Sequence, residues 1–105
     1  MKVYISGPIS GTSDYHDRFL RAAEAINGKG HEAVNPLDLG AILKPWTTTW
    51  EQYMVADLGL LRACEAAYFM PGWGNSTGAK IEHGEAVRRR LKIYYDLANL
   101  EEVSG

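Results

Sequence analysis

Two carboxylates sit where a packed helix ordinarily carries apolar side chains. Asp57 follows Met54 by three residues, Tyr53 by four and Trp50 by seven, which puts it on the apolar stripe of a helix. Glu82 shares a helix side with Ala79, Ala86 and Val87, all small or apolar. A buried, unpaired charge is costly, so each group must be paired, hydrated in a cleft or protonated. Each also has a plain reading. Asp57 can bond a loop backbone, and Glu82 can complement the positive end of its helix. As a pair they offer chemistry: one carboxylate can stabilise and trap a cationic centre, and a carboxylic acid can hand a proton to a leaving group.

The helix carrying Glu82 begins at a glycine-rich turn, Gly72 to Gly78. Asn75-Ser76-Thr77-Gly78 offers hydroxyls and free backbone N–H groups at a helix start, which suits a phosphate. Ser76 or Thr77 serves equally well as a plain N-cap. The segment lacks the Gly-Lys-Ser/Thr ending of a Walker loop, and Gly7-Pro8-Ile9-Ser10-Gly11 lacks the spacing of the dinucleotide fingerprint. His16, His31 and His83 show no metal-ligand spacing. Cys64 reads as a small core or helix-end residue. Glu85 is expected to be solvated or paired with Arg88 or Arg89. Arg88-Arg89-Arg90 reads as helix-end charge on the surface. Trp46, Trp50 and Trp73 are expected in the core, although two of them flank cleft loops and could stack on a planar base.

The elements that must hold these groups alternate. Lys2 to Ser6 is a β-rich run stopped by Gly7-Pro8. Thr12, Ser13 and Asp14 are candidate caps for a helix whose stripe is Tyr15, Phe19, Ala22, Ala23 and Ile26. A second strand is expected over 31–35, a long connection with a helical turn over 36–48, and a helix over 48–63. A third strand follows over 67–70, a helix over 77–91 and a fourth strand over 92–95. The acidic tail, 97–105, is expected to be a short helix or frayed. This pattern predicts an α/β fold: a small doubly wound, Rossmann-like or flavodoxin-like three-layer sandwich with a four-stranded, mainly parallel sheet. Ligands of such sheets bind beyond the carboxyl ends of the strands, where loops 7–14, 35–48 and 71–78 gather.

Composition narrows the class. The 105 residues suit one domain, 1–105, with 46% hydrophobic and 23% charged residues. No apolar run reaches the roughly 18 residues of a membrane span. The start, MKVYISGP, lacks a signal-peptide stretch, so a soluble cytoplasmic protein is expected. One cysteine excludes an internal disulfide framework. A net charge of −2 gives no reason to expect a nucleic-acid polymer as partner.

Five short motifs then occur in order: Tyr4-Ile5-Ser6-Gly7-Pro8-Ile9-Ser10-Gly11; Val34-Asn35-Pro36; Trp50-Glu51-x-Tyr53-Met54-x-x-Asp57-Leu58; Tyr68-x-x-Pro71-Gly72-Trp73; and Ser76-x-Gly78-Ala79-x-x-Glu82. With these the chain resembles the nucleoside 2-deoxyribosyltransferase superfamily, in particular its small phage and bacterial DUF4406 branch, over about residues 2–96. The resemblance implies Glu82 as nucleophile, Asp57 as the group that handles the base or its proton, and Tyr4 as the residue that orients the nucleophile. It implies a substrate-binding set of Gly7, Pro8, Ser10, Gly11, Asn35, Trp73, Ser76 and Gly78. It also implies a small nucleoside or nucleotide ligand, no metal or organic cofactor, and a homodimer or higher homo-oligomer.

Two departures bear on the substrate. The transferases carry Asp at the place of Ser76, where it meets the sugar 5′-hydroxyl. The related deoxynucleoside 5′-monophosphate N-hydrolases carry Ser there, facing the phosphate. A hydroxyl with helix-start N–H groups suits a phosphate that a carboxylate would repel. Those hydrolases, however, carry a phosphate-binding Arg where this chain has Ser10. The expectation is therefore N-glycosidic cleavage of a nucleotide or nucleoside. The alternatives are base exchange, a non-catalytic nucleotide-binding module, and a purely structural interaction protein.

Overall fold

The computed structural model describes residues 1–9 and 13–103. Strand β1 (Lys2–Ser6), helix α1 (Tyr15–Gly28) and strand β2 (Glu32–Val34) open the chain. A 3-10 helix (Pro36–Ala41) and helix α2 (Trp50–Arg62) lead to strand β3 (Ala66–Phe69). A 3-10 turn (Trp73–Asn75) and helix α3 (Thr77–Arg88) lead to strand β4 (Lys92–Tyr94) and a last 3-10 turn (Leu97–Asn99). The four strands pair in parallel in the order β2-β1-β3-β4. The sheet is therefore wholly parallel, and its order reverses between β1 and β3. That reversal is the crevice where ligands of such folds bind.

The strand period of two sorts the core into two faces. Val3 and Ile5 of β1 pack with Phe19, Ala22 and Ile26 of α1. Tyr4 faces the other way and packs with Leu61 of α2 and Ala86 of α3. This is the expected three-layer sandwich: α1 on one side, α2 and α3 on the other.

The ends of the elements follow local chemistry. Asp14 stands at the N-cap of α1 without a side-chain cap bond, and Thr12 lies outside the described residues. Helix α2 starts at Trp50, two residues later than expected, because Thr49 and Gln52 form a capping box. Helix α3 ends at Arg88 rather than 91, and Arg90 turns into the left-handed region at φ 59°. The tail is not frayed over 97–103. Leu100 is buried in the α1 face, and Lys29 Nζ donates to the carbonyls of Leu97 and Leu100. Val103 N–H also donates to the Lys29 carbonyl at 2.8 Å.

Trp46 and Trp50 correct the expectation of core tryptophans, being 79% and 51% exposed. Trp50 is the first residue of α2, at the end of the helix that meets the carboxyl edge of the sheet. Only Met54 and Leu61 of α2 are buried, so its apolar stripe is narrower than the sequence spacing suggested. No helix among the described residues is long and apolar enough to cross a membrane.

Candidate active site

Glu82 is 6% exposed and is held by β1. Tyr4 Oη–H donates to its Oε2 at 2.6 Å, and Ser6 Oγ–H donates to its Oε1 at 2.6 Å. Both donors lie on the same face of β1 because they are two residues apart on a strand. Both hydroxyls donate to the carboxyl, which favours its ionised form. Glu82 stands beyond the first turn of α3, where the helix dipole has faded. The two hydroxyls, rather than the helix start, therefore hold its charge.

Asp57 comes from α2 and is half-buried, with its carboxyl beside that of Glu82 and acting on it. Two carboxyls so placed cannot both ionise cheaply. Burial first, then the Glu82 charge, pushes Asp57 up to about 7. Burial also raises Glu82, but its bonds from Ser6, Tyr4 and Asp57 oppose that rise. The proton of the pair therefore belongs on Asp57 and the charge on Glu82. Tyr4 is pushed well above the usual phenol range, mainly by burial, and stays a donor.

The sequence reading placed Asp57, Glu82 and Tyr4 in the catalytic set, and the fold brings the three together. It did not single out Ser6. The signal was available, since Ser6 shares a strand face with Tyr4.

The other expected residues divide. Ser76 is the N-cap of α3, its Oγ accepting from Ala79 N–H at 3.2 Å. The plain reading of Ser76 as a cap is thus what is seen, and its own O–H proton remains free for a ligand. Thr77 and Gly78 open α3, where N–H groups have no intrahelical acceptor. Gly78 approaches α2 closely: a Cβ there would lie 3.3 Å from Met54 Sδ.

Gly7 follows β1 and is buried, and Pro8 lies beside Gly72, so the first and third cleft loops adjoin. Ser10 and Gly11 lie outside the described residues. Trp73 stacks on His83 at 4.2 Å and 21°, and His83 Nε2 lies 2.7 Å from Tyr95 Oη. One face of the indole is therefore already covered. Asn35 stands apart from the carboxyl pair. Its Oδ1 accepts from Leu37 N–H at 3.0 Å, and it lines a shallow groove with His16, Leu20 and Asp38.

Two expected outcomes follow from these contacts. A methyl on Gly7 would meet Met70 Cε at 2.7 Å and Met70 Cβ at 3.1 Å. Gly7→Ala is therefore expected to destabilise by about 1–2 kcal/mol, a fall of about 5–10 °C in the thermal midpoint followed by circular dichroism. Tyr4→Phe removes one of the two hydroxyl donors to Glu82. The Glu82 carboxyl should then titrate at higher pH in a ¹³C carboxyl titration, because a stabiliser of the carboxylate is gone.

Glu85 behaves differently from Glu82. It was expected to be solvated or paired, and it is 8% exposed and paired three times. It bonds Arg88 and Arg89 of its own helix and also Arg62 of α2. The guanidiniums hold its carboxyl down at about 2. Cys64 is buried as expected, with its thiol pushed up to about 11 by burial.

The family model for DUF4406, a domain of unknown function, matches residues 1–95. No curated protein matches the chain. Among solved structures it is similar to the 2-desoxiribosyltransferase from Leishmania mexicana, with 18% identity and a TM-score of 0.66. That likeness covers 88% of this chain but 61% of the other, so the chain spans less than two thirds of that enzyme's length. At this identity the likeness establishes the α/β fold.

Proposed function

The chain belongs to the DUF4406 family, and from that premise and its carboxyl pair we propose that it cleaves the N-glycosidic bond of a nucleoside or its 5′-monophosphate. The observation that carries the reading is the division of labour between Glu82 and Asp57. One carboxyl accepts from two hydroxyls, which favours its ionised form, and the other is pushed up to about 7, which favours its acid form.

The reaction uses both. As the C1′–N bond breaks, its electron pair leaves with the base, and C1′ develops oxocarbenium character. Asp57 gives its proton to the departing base. A Glu82 oxygen bonds C1′ and traps the sugar as an ester. Asp57, now a carboxylate, takes a proton from water as the water oxygen attacks C1′. Glu82 leaves as a carboxylate, and the products are free base and the sugar with a hydroxyl at C1′. The Tyr4 and Ser6 hydroxyls keep Glu82 oriented, and anionic before the ester forms and after it is cleaved. The free N–H groups of Thr77 and Gly78, with the Ser76 hydroxyl, would receive the 5′ end, and a phosphate suits such donors.

A second reading is base exchange, favoured by the likeness to a desoxiribosyltransferase. It shares the ester and differs only in what resolves it. The test is to incubate the protein with deoxynucleoside monophosphates and nucleosides, with and without a free acceptor base, and to separate the products. Free base without acceptor supports hydrolysis, and turnover only with acceptor supports exchange. Ligand binding without any base release would overturn both in favour of a binding module.

A further inference from the structure

The two helices that meet at the carboxyl pair share an apolar contact built mainly on Leu61 and Ala86. Helix α2 buries only Met54 and Leu61, and the buried apolar residues of α3 are the small Ala79 and Ala86. The pair itself works against the contact, because an ionised Asp57 is repelled by Glu82. Yet Asp57 stays beside Glu82, close enough for each carboxyl to act on the other. A polar bond between the helices would add to the apolar contact in holding the pair together.

The contact is flanked on both sides. Toward the helix starts, Met54 lies against Gly78. Toward the helix ends, Arg62 Nε donates to Glu85 Oε2 at 2.9 Å. Glu85 is three residues beyond Glu82, one turn along the same side of α3. Of the three arginines on Glu85, only Arg62 crosses from α2; Arg88 and Arg89 belong to α3.

We infer that Arg62 is a positioning residue: its bond to Glu85 fixes α2 on α3 so that Asp57 meets Glu82. Its effect on turnover rests on the function proposed above, whereas its effect on Asp57 does not. Removing Arg62 leaves Glu85 paired with Arg88 and Arg89, so no buried carboxylate is stranded and the fold persists.

The sign of the response separates positioning from simple charge. Loss of a cation would, by itself, push the Asp57 midpoint up. Loosening α2 from α3 relieves both the burial and the Glu82 repulsion, and pushes it down. The charged or titratable groups that act on Asp57 and its partner, Glu82 from α3 and Tyr4 from β1, are unchanged in the variant.

The experiment is a ¹³C carboxyl titration of Asp57 in the full chain, wild type against Arg62→Gln and Arg62→Lys, with steady-state base release alongside. In Arg62→Gln the midpoint is expected to fall from about 7 toward the ordinary carboxylate range. Turnover should fall about tenfold or more with KM changed little, since misplacing a reacting group is felt in the chemical step. Arg62→Lys, which keeps a cross-helix cation for Glu85, should recover most of both. A midpoint in Arg62→Gln that is unchanged or raised overturns the inference. A wild type that releases no base overturns the proposed function instead, and the titration alone then decides the role of Arg62.

Discussion

Glu82→Ala is expected to abolish base release, lowering kcat by about 10⁴-fold or more, as loss of a covalent nucleophile does. Among the described residues the carboxylate is the only group bonded by both Tyr4 and Ser6, and each bond is 2.6 Å long. Glu82→Gln is the necessary companion, because it keeps the side chain's shape and gives the two hydroxyls an amide oxygen to share. Both variants should be inactive while Glu82→Gln stays folded. Small anions then give a sharper readout. Azide or formate entering the space left in Glu82→Ala should restore part of the turnover, with azide ending on C1′ of the sugar. Full activity in either variant would remove Glu82 from the chemistry.

Asp57→Asn should harm activity and help the fold. Without a proton to give, base departure should slow about 10²- to 10⁴-fold. The loss should be much smaller for an N7-alkylated purine, whose base leaves neutral without being protonated. For stability the sign runs through proton binding. Asp57 is raised from 3.8 to about 7, so between those values the folded chain binds more protons than the unfolded one. Its contribution is full below about pH 4 and is lost as the pH rises through 7. Asp57 is only half-buried, so the full linkage value must be reduced for solvent screening. Asp57→Asn should then gain about 1–2 kcal/mol at pH 8 and little at pH 4. Glu85 does not confuse the comparison. Its lowered carboxyl contributes above its ordinary range and is lost only as the pH falls toward 2. Urea unfolding of both proteins at pH 4, 6 and 8 reads the difference, and parallel curves would overturn the assignment.

Much of this was legible before any coordinates. Helical spacing marked Asp57 and Glu82 as charges on apolar faces, and the alternation of strand and helix gave the layer order. Tyr4 needed the family resemblance, because an aromatic in a strand looks like core until its hydroxyl finds a partner. Ser6 was passed over for the converse reason: a serine ending a strand looks like the start of a turn. Trp46 and Trp50 were misplaced because residue type reports preference for burial, whereas location depends on what lies above the residue. The cross-helix bond of Arg62 was hidden since nothing along the chain couples residue 62 to residue 85. Glu85 could be paired only with the arginines within a turn of it.

The bonds that build the site join residues 78 and 76 positions apart. Every strand pairing in between is parallel and needs its own crossover. Closing so long a stretch of chain is slow compared with forming α1, α2 or α3. During refolding the helical circular dichroism should therefore recover before any competent pair of carboxyls exists. A truncated chain that stops before α3 could display most of the secondary structure and none of the reactive centre. A re-formed carboxyl pair reports that the first strand and helix α3 have found each other.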